Sequence, residues 1–163
     1  MKKISVIVNC HNGEEYLENC LNSILNRTFK DFEIIFFDNA SIDNTRNILK
    51  KFNDNRIKYF LSKKKLTLYD ARNQAIQKSS GELIAFLDVD DWWDKNYLNS
   101  REKEFNNNNY DIFYNNVCIF YEKDKSLKKY RNYNLPSGKI YNFLVKDYFI
   151  IISGLIIKKK VFN

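Results

Sequence analysis

The sequence predicts an α/β domain in which helices flank an open, mainly parallel sheet. Two observations carry this prediction. Apolar runs at residues 5–9, 33–38, 57–60 and 83–87, three of them nearly unbroken, read as strands covered on both faces. Segments with helical spacing separate them, and that alternation is the pattern of a parallel sheet with crossover connections.

Each element has its own signal. The start, MKKISVIVNCHN, carries the charges of a signal peptide. Its apolar part is only about five residues long and no small-residue cleavage site follows, so it reads as the first strand. Leu17, Cys20, Leu21, Ile24 and Leu25 recur at helical spacing, as do Thr45, Ile48, Leu49 and Phe52. A third helix spans residues 68–78. Thr67 and Asp70 resemble a capping box before it, and Gly81 suits the position just past its end. After residue 94 the pattern loosens. A helix is expected over 94–105, FNNNNYD is a turn, and one strand is expected over 112–121. A polar, basic stretch at 122–134 and the turn LPSG come next. The apolar stretch FIIISGLII is expected to await completion by later elements, and its exposure would promote self-association. No repeat or linker is visible, so residues 1–163 are read as one domain.

Composition excludes several classes. Of 163 residues, 44% are apolar and 16% aromatic, which argues against disorder. No apolar run reaches the ~18 residues of a membrane-spanning helix. Cys10, Cys20 and Cys118 are odd in number and lack CxxC spacing, so neither a disulfide framework nor a zinc site is expected, and a reducing cytoplasm fits. His11, the only histidine, has no partner at metal-ligand spacing. A net charge of +7 admits nucleic acid, an anionic membrane surface or phosphorylated small molecules as partners.

In open parallel sheets, ligands bind beyond the carboxyl ends of the strands. Those ends present Asn9, Asp38 and Asp88. Only Gly13, Gly81, Gly138 and Gly154 are available, and neither GxGxxG nor a P-loop is present, which disfavours dinucleotide and P-loop chemistry. Phosphates at this edge would need a cation held by carboxylates, and Mg²⁺ or Mn²⁺ suits such ligands. The stretch FLDVDDWW crowds Asp88, Asp90 and Asp91 at a strand end. Two readings stand: a metal relieves their repulsion, or Asp90 or Asp91 caps the next helix. Arg72 lies on the face of Leu68, Ala75 and Ile76. It either meets an anion, such as a diphosphate or Asp38, or packs its stem and snorkels.

SVIVNCHNGEEYLENCLNSIL, IIFFDNASIDNT, ARNQAI and FLDVDDWW, in this order, resemble the family 2 glycosyltransferases with the GT-A fold. The resemblance spans nearly the whole chain. It implies a Rossmann-like fold whose C-terminal part is incomplete here, with a donor-binding part over about 1–105 and the start of an acceptor part over about 106–163. It also implies metal-dependent, inverting transfer from a nucleotide-diphosphate sugar, a UDP-sugar above all, to a glycan or lipid-linked acceptor in polysaccharide, lipopolysaccharide or capsule biosynthesis. By position, Asn9 and His11 line the nucleoside pocket, His11 by stacking, and Asp38 accepts from the base. Arg72 sits near base and phosphates. Asp88 lies at the ribose and metal edge, and Asp90, completing a DxD motif, is the metal ligand. Asn39 stands where the family often has an acid. Trp93 is expected in the core, and Trp92 is left open between packing and sugar stacking.

An inverting transfer needs a general base. In similar enzymes it is a carboxylate some tens of residues beyond a segment like SGLIIKKKVFN, so the base is expected beyond Asn163, and Asp111 and Asp147 match no catalytic position. A chain so shortened is expected to bind donor and metal and to transfer sugar poorly. Two other readings are weaker. Lys63–Lys65, Lys128–Arg131 and Lys158–Lys160 lie among tyrosines, as in single-strand binders, but no RNA-binding motif is present, and no nucleic-acid partner is expected. The basic second half also suits peripheral association with the anionic inner face of a membrane.

Overall fold

The structure, a computed structural model, describes residues 3–26 and 29–162. β1 (Ile4–Cys10), α1 (Leu17–Leu25), β2 (Phe32–Asp38), α2 (Thr45–Leu49), β3 (Ile57–Leu61), α3 (Leu68–Lys78) and β4 (Leu83–Phe86) follow in turn. After them come α4 (Tyr97–Asn107), β5 (Ile112–Tyr114), β6 (Cys118–Tyr121), β7 (Ser126–Lys129), α5 (Tyr141–Lys146) and β8 (Leu155–Lys158). Six strands form one sheet in the order β3-β2-β1-β4-β8-β5, parallel except for β8. The α/β class read from the sequence is the observed one.

The unbroken apolar runs have a direct cause. Ile4, Val6 and Val8 of β1 pack with Leu17, Leu21 and Ile24 of α1 on one face of the sheet. Ile7 packs with Ile35, Ala71, Ala75 and Ile84 on the other. Both faces are covered, so alternation disappears from the sequence. α1 has nine residues, fewer than the ~12–15 an isolated helix needs. Burial of its stripe is what holds it, at roughly 1.5–3 kcal/mol per fully buried Leu or Ile.

α3 has the expected bounds, and the Thr67 side chain accepts from the Asp70 amide. Gly81 plays a different part from the one expected. The helix already ends at Ser79 in extended backbone, and a Cβ on Gly81 would lie 2.6 Å from the Ser5 amide nitrogen. The glycine is needed because the chain entering β4 runs against β1.

The second half departs most from expectation. The strand expected over 112–121 is two strands, broken at Asn115–Val117. Asn116 accepts from the amides of Val117 and Arg131 and donates to the Arg131 carbonyl, which turns the chain out of the main sheet. β6 then pairs with β7, a strand that lies inside the stretch read only as polar and basic. The stretch FIIISGLII is not left exposed. It supplies β8, which lies between β4 and β5, with Ile156 fully buried and Phe149 nearly so. That removes the basis on which self-association was expected from this stretch.

Glu33 is an acid buried deep in the sheet, 1% exposed. Its Oε1 accepts from Ser5 Oγ (2.5 Å) and from the Ser80 amide and hydroxyl, and Lys58 Nζ lies 2.5 Å from Oε2. Burial alone pushes this carboxyl up, but the hydrogen bonds from Lys58, Ser5 and Ser80 outweigh it and hold it at about 2. A lowered folded pKa adds stability above the ordinary range near 4.5, and that stability is lost as pH falls through about 2. Denaturant titrations from neutral to acidic pH are expected to show Glu33→Gln losing roughly 2–3 kcal/mol at neutral pH and little by the acid end. A variant difference constant with pH would contradict this reading.

Candidate functional site

β1 lies between β2 and β4, so the carboxyl ends of these three strands open on one edge. The Asn9 side chain is buried there, 8% exposed, and its Nδ2 has no hydrogen-bond partner. His11, just past the strand, donates from Nδ1 to the Asn39 carbonyl at 3.0 Å, since a carbonyl only accepts. That fixes the tautomer and the ring plane. Asp38 is 1% exposed, and both its oxygens are engaged: Oδ1 by the Ser41 amide (2.8 Å) and Oδ2 by the Tyr59 hydroxyl (2.9 Å). Burial and then the Asp38 hydrogen bond push the Tyr59 phenol up to about 12, so it stays a donor.

The loops after β1 and β2 are sewn together. Asn12 N donates to Ser41 Oγ, and Ile42 N donates to Asn12 Oδ1. Glu14 N donates to Asp43 Oδ2, and Asn44 N donates to Glu14 Oε2. Gly13 N donates to Thr45 Oγ1. Two residues in this region adopt left-handed backbone without being glycine, Asn12 (φ 56°) and Ala40 (φ 59°). Asn39 pairs doubly with Leu66, accepting from its amide and donating to its carbonyl. An aspartate could accept but not donate, so the Asn39 amide is what joins this loop to the segment before α3.

Arg72 meets a strand-end carboxylate, but the partner is Asp88 rather than Asp38: Nη2 lies 2.6 Å from Oδ1. The pair is partly exposed, so its contribution to stability is at most about 1 kcal/mol, and its value lies in holding a cation beside the acidic turn. In that turn the Asp91 amide donates to the Asp88 carbonyl, and Ser153 Oγ donates to Asp91 Oδ2. Burial first, and then the charges of Asp90 and Asp88, push the Asp91 carboxyl up against the pull of Ser153. α4 begins at Tyr97 with Asn96 before it, so neither Asp90 nor Asp91 caps it. The capping reading of the cluster falls. Asp90 remains exposed at the tip of the turn.

Trp93 is in the core as expected. Its ring stacks on Tyr97 at 4.5 Å, and Nε1 donates to the Ser153 carbonyl at 2.6 Å. Trp92 is outside the core, 51% exposed. Ser153, Ser41 and Tyr59 hold the site residues in place, and none was singled out from the sequence.

Among the described residues, no group of three or more His, Cys, Asp or Glu side chains is placed to hold a metal by itself. An exposed Asp90 beside Asp88 fits a different arrangement, in which one or two carboxylates share a Mg²⁺ or Mn²⁺ ion with the phosphates of a ligand. A cavity of about 410 Å³ lies at the opposite edge, lined by Lys3, Gly81, Glu82 and Lys158 among others. Another of about 230 Å³ lies between α2 and β3. Neither includes an expected site residue.

With this geometry in view, comparison with known proteins identifies the class. The profile described as Glycosyl transferase family 2 matches residues 5–162. The chain belongs to this family and has its GT-A fold. It is 32% identical over 144 residues to the Escherichia coli UDP-Glc:alpha-D-GlcNAc-diphosphoundecaprenol beta-1,3-glucosyltransferase WfgD, covering 88% of this chain and 55% of that protein. It is 36% identical over 132 residues to the Campylobacter jejuni GalNAc(5)-diNAcBac-PP-undecaprenol beta-1,3-glucosyltransferase, covering 79% and 42%. The S. aureus TarS 1-349 crystal structure superposes with a TM-score of 0.81 at 22% identity, over 98% of this chain and 48% of that one. The chain thus spans about half the length of these relatives. No helix among the described residues is long and apolar enough to cross a membrane.

Ala40 offers a test of how tightly the site loops are set. A left-handed alanine carries roughly 1 kcal/mol of strain that glycine lacks and a β-branched residue increases. In thermal or denaturant unfolding, Ala40→Gly is expected to change stability by no more than about 1 kcal/mol, and Ala40→Val to cost roughly 2 kcal/mol. The reverse order would show that the loop relaxes out of this conformation.

Proposed function

We propose that residues 1–105 bind the nucleotide-sugar donor of an inverting glycosyltransferase and that residues 106–163 begin its acceptor side. The donor is a UDP-sugar, and the acceptor is a glycan or lipid-linked saccharide at the inner, cytoplasmic face of a membrane. One observation carries this reading: Asn9, His11, Arg72, Asp88 and Asp90 all stand on the edge formed by the ends of β1, β2 and β4 and the helix α3 beside them. The relatives whose names include UDP-Glc or a diphosphoundecaprenol acceptor support the same substrate classes.

Each residue then has a task. The pinned His11 ring offers a face to the base, and the unpartnered Asn9 Nδ2 is a buried donor for a base oxygen. Asp38, its oxygens engaged, shapes the loop at 39–41 and offers the base at most a remaining lone pair. Arg72 turns a guanidinium towards the diphosphate, using the Asp88 carboxylate as its hinge. Asp90, with Asp88 beside it, would hold a Mn²⁺ or Mg²⁺ ion shared with the diphosphate. That ion supplies charge neutralisation as the nucleotide leaves.

None of these groups removes the acceptor proton. Asp111 sits at the start of β5, on the edge opposite the site, in ion pairs with Lys158 and Lys160. Asp147 pairs with Arg131 and accepts from Tyr133. Both carboxylates are engaged in ion pairs, and neither is proposed as the general base.

Calorimetric titration of UDP with Mn²⁺ tests the donor site. Binding that needs metal is expected in the wild type, with Asp90→Ala losing the metal-dependent part and Arg72→Ala weakening affinity by about tenfold or more. Absence of metal-dependent binding in the wild type would overturn the donor reading.

A further inference from the structure

Protein surfaces carry scattered apolar residues, but here they gather. Eight of the eighteen large apolar side chains exposed among the described residues fall between Ile119 and Tyr148, under a fifth of the chain. They come from the β6–β7 hairpin, the loop after it and α5 with its exit. Arg131 Nη2 lies 2.7 Å from Asp147 Oδ1, and the Tyr133 hydroxyl donates to Asp147 Oδ2, so the end of the hairpin is tied to the end of α5. The hairpin itself has only two strands and is marginal without outside contacts.

The placement of these side chains restricts what can cover them. Ile119 pairs with Lys128, and Phe120 with Leu127. Opposed residues share a face of a hairpin and successive ones alternate. Ile119 and Tyr121 therefore lie on one face and Leu127 on the other, yet all three are exposed. In α5, a two-residue step turns the side chain by about 200°. Even so, Tyr141, Phe143 and Val145 are all exposed, and no residue of the helix is buried. A folded partner would cover one face of each element and leave the other in water. A fluid apolar phase takes both.

Charge narrows the choice further. Residues 119–148 hold seven lysines and arginines against three acids. Lys125 Nζ lies 5.7 Å over the Phe120 ring and Lys128 Nζ 5.1 Å over the Tyr121 ring, so the cations sit among the apolar groups. A second copy of the chain, itself at +7, is repelled. Nucleic acid answers the cations but offers nothing to Leu127 or Val145. An anionic bilayer answers both. Its headgroups meet the lysines, its acyl boundary takes the apolar tips, and tyrosines suit the layer between.

We propose that the β6–β7 hairpin and α5 dock this chain on an anionic phospholipid surface. The Trp92 and Phe120 rings meet edge to face with centroids 5.5 Å apart, so docking through the hairpin brings the acidic turn to that surface. Its use rests on the lipid-linked acceptor proposed above, whereas the docking itself rests on these residues.

The probes are phosphatidylcholine vesicles with about one third phosphatidylglycerol, and vesicles of phosphatidylcholine alone. Sedimentation of the full chain is expected to show about tenfold or more tighter binding to the anionic vesicles, weakening as salt rises. Cys118 in β6 is exposed while Cys10 and Cys20 are buried, so a polarity-sensitive fluorophore attaches there. It is expected to brighten on anionic vesicles and to be quenched by spin-labelled lipid. Lys128→Glu with Lys129→Glu is expected to weaken binding about tenfold or more, and Leu127→Ser with Phe143→Ser about fivefold or more. Unchanged circular dichroism and melting show that both variants are folded. Equal binding to the two kinds of vesicle, a label that lipid does not quench, or wild-type binding by both variants overturns the docking. So does oligouridine binding that the lysine variant loses while the wild type ignores vesicles, which would assign the cations to nucleic acid. Failure of UDP with Mn²⁺ to bind, titrated in parallel, counts against the donor reading alone.

Discussion

Three carboxylates within four residues, at the end of a strand buried on both faces, repel one another, and the structure relieves them one at a time. Arg72 takes Asp88, and the Ser153 hydroxyl takes Asp91. Asp90 is left facing outward, and the helix that follows starts too late to use it. This sharing of roles fixes much else. Arg72 must come from α3, so α3 must lie across the strand ends. Ser153 must come from the segment leading into β8, so β8 must lie beside β4. The same serine's carbonyl holds the Trp93 indole, which ties the turn to the core on its other side.

The loops after β1 and β2 solve a similar problem without charge. Backbone amides in such loops lack ladder partners, and here those of Asn12, Glu14, Ile42 and Asn44 are answered by a side chain of the other loop, in both directions. The result is a rigid rim carrying His11 and Asn39. Left-handed backbone at Asn12 and Ala40 is the strain that this mutual locking sustains.

Much of this was legible in the sequence, and the limits have physical causes. Strands covered on both faces announce themselves as apolar runs, so β1, β2 and β4 were found within a residue or two. α3 was found whole because its cap is local chemistry. The ends of the strands gave Asn9, Asp38 and Asp88, and the family resemblance ordered them. What escaped notice depends on partners distant in the chain. β5 and β6 read as one strand because nothing local reveals that Asn116 bonds to Arg131. β8 read as unfinished because its neighbour β4 lies about seventy residues earlier. Arg72 was left between an anion and a packed, snorkelling stem, and choosing Asp88 over Asp38 requires the tilt of α3, which periodicity does not contain.

Gly13 ties the two parts of the site together. A Cβ there would sit 2.5 Å from Cys10 Sγ and 2.9 Å from a Val89 methyl, so the bend after β1 rests directly on the residue between Asp88 and Asp90. Bulk cannot be added at positions 10, 13 or 89 without the others yielding. The rim that carries His11 and the acidic turn are thus parts of one wedge, and a change of shape at either must recut both together.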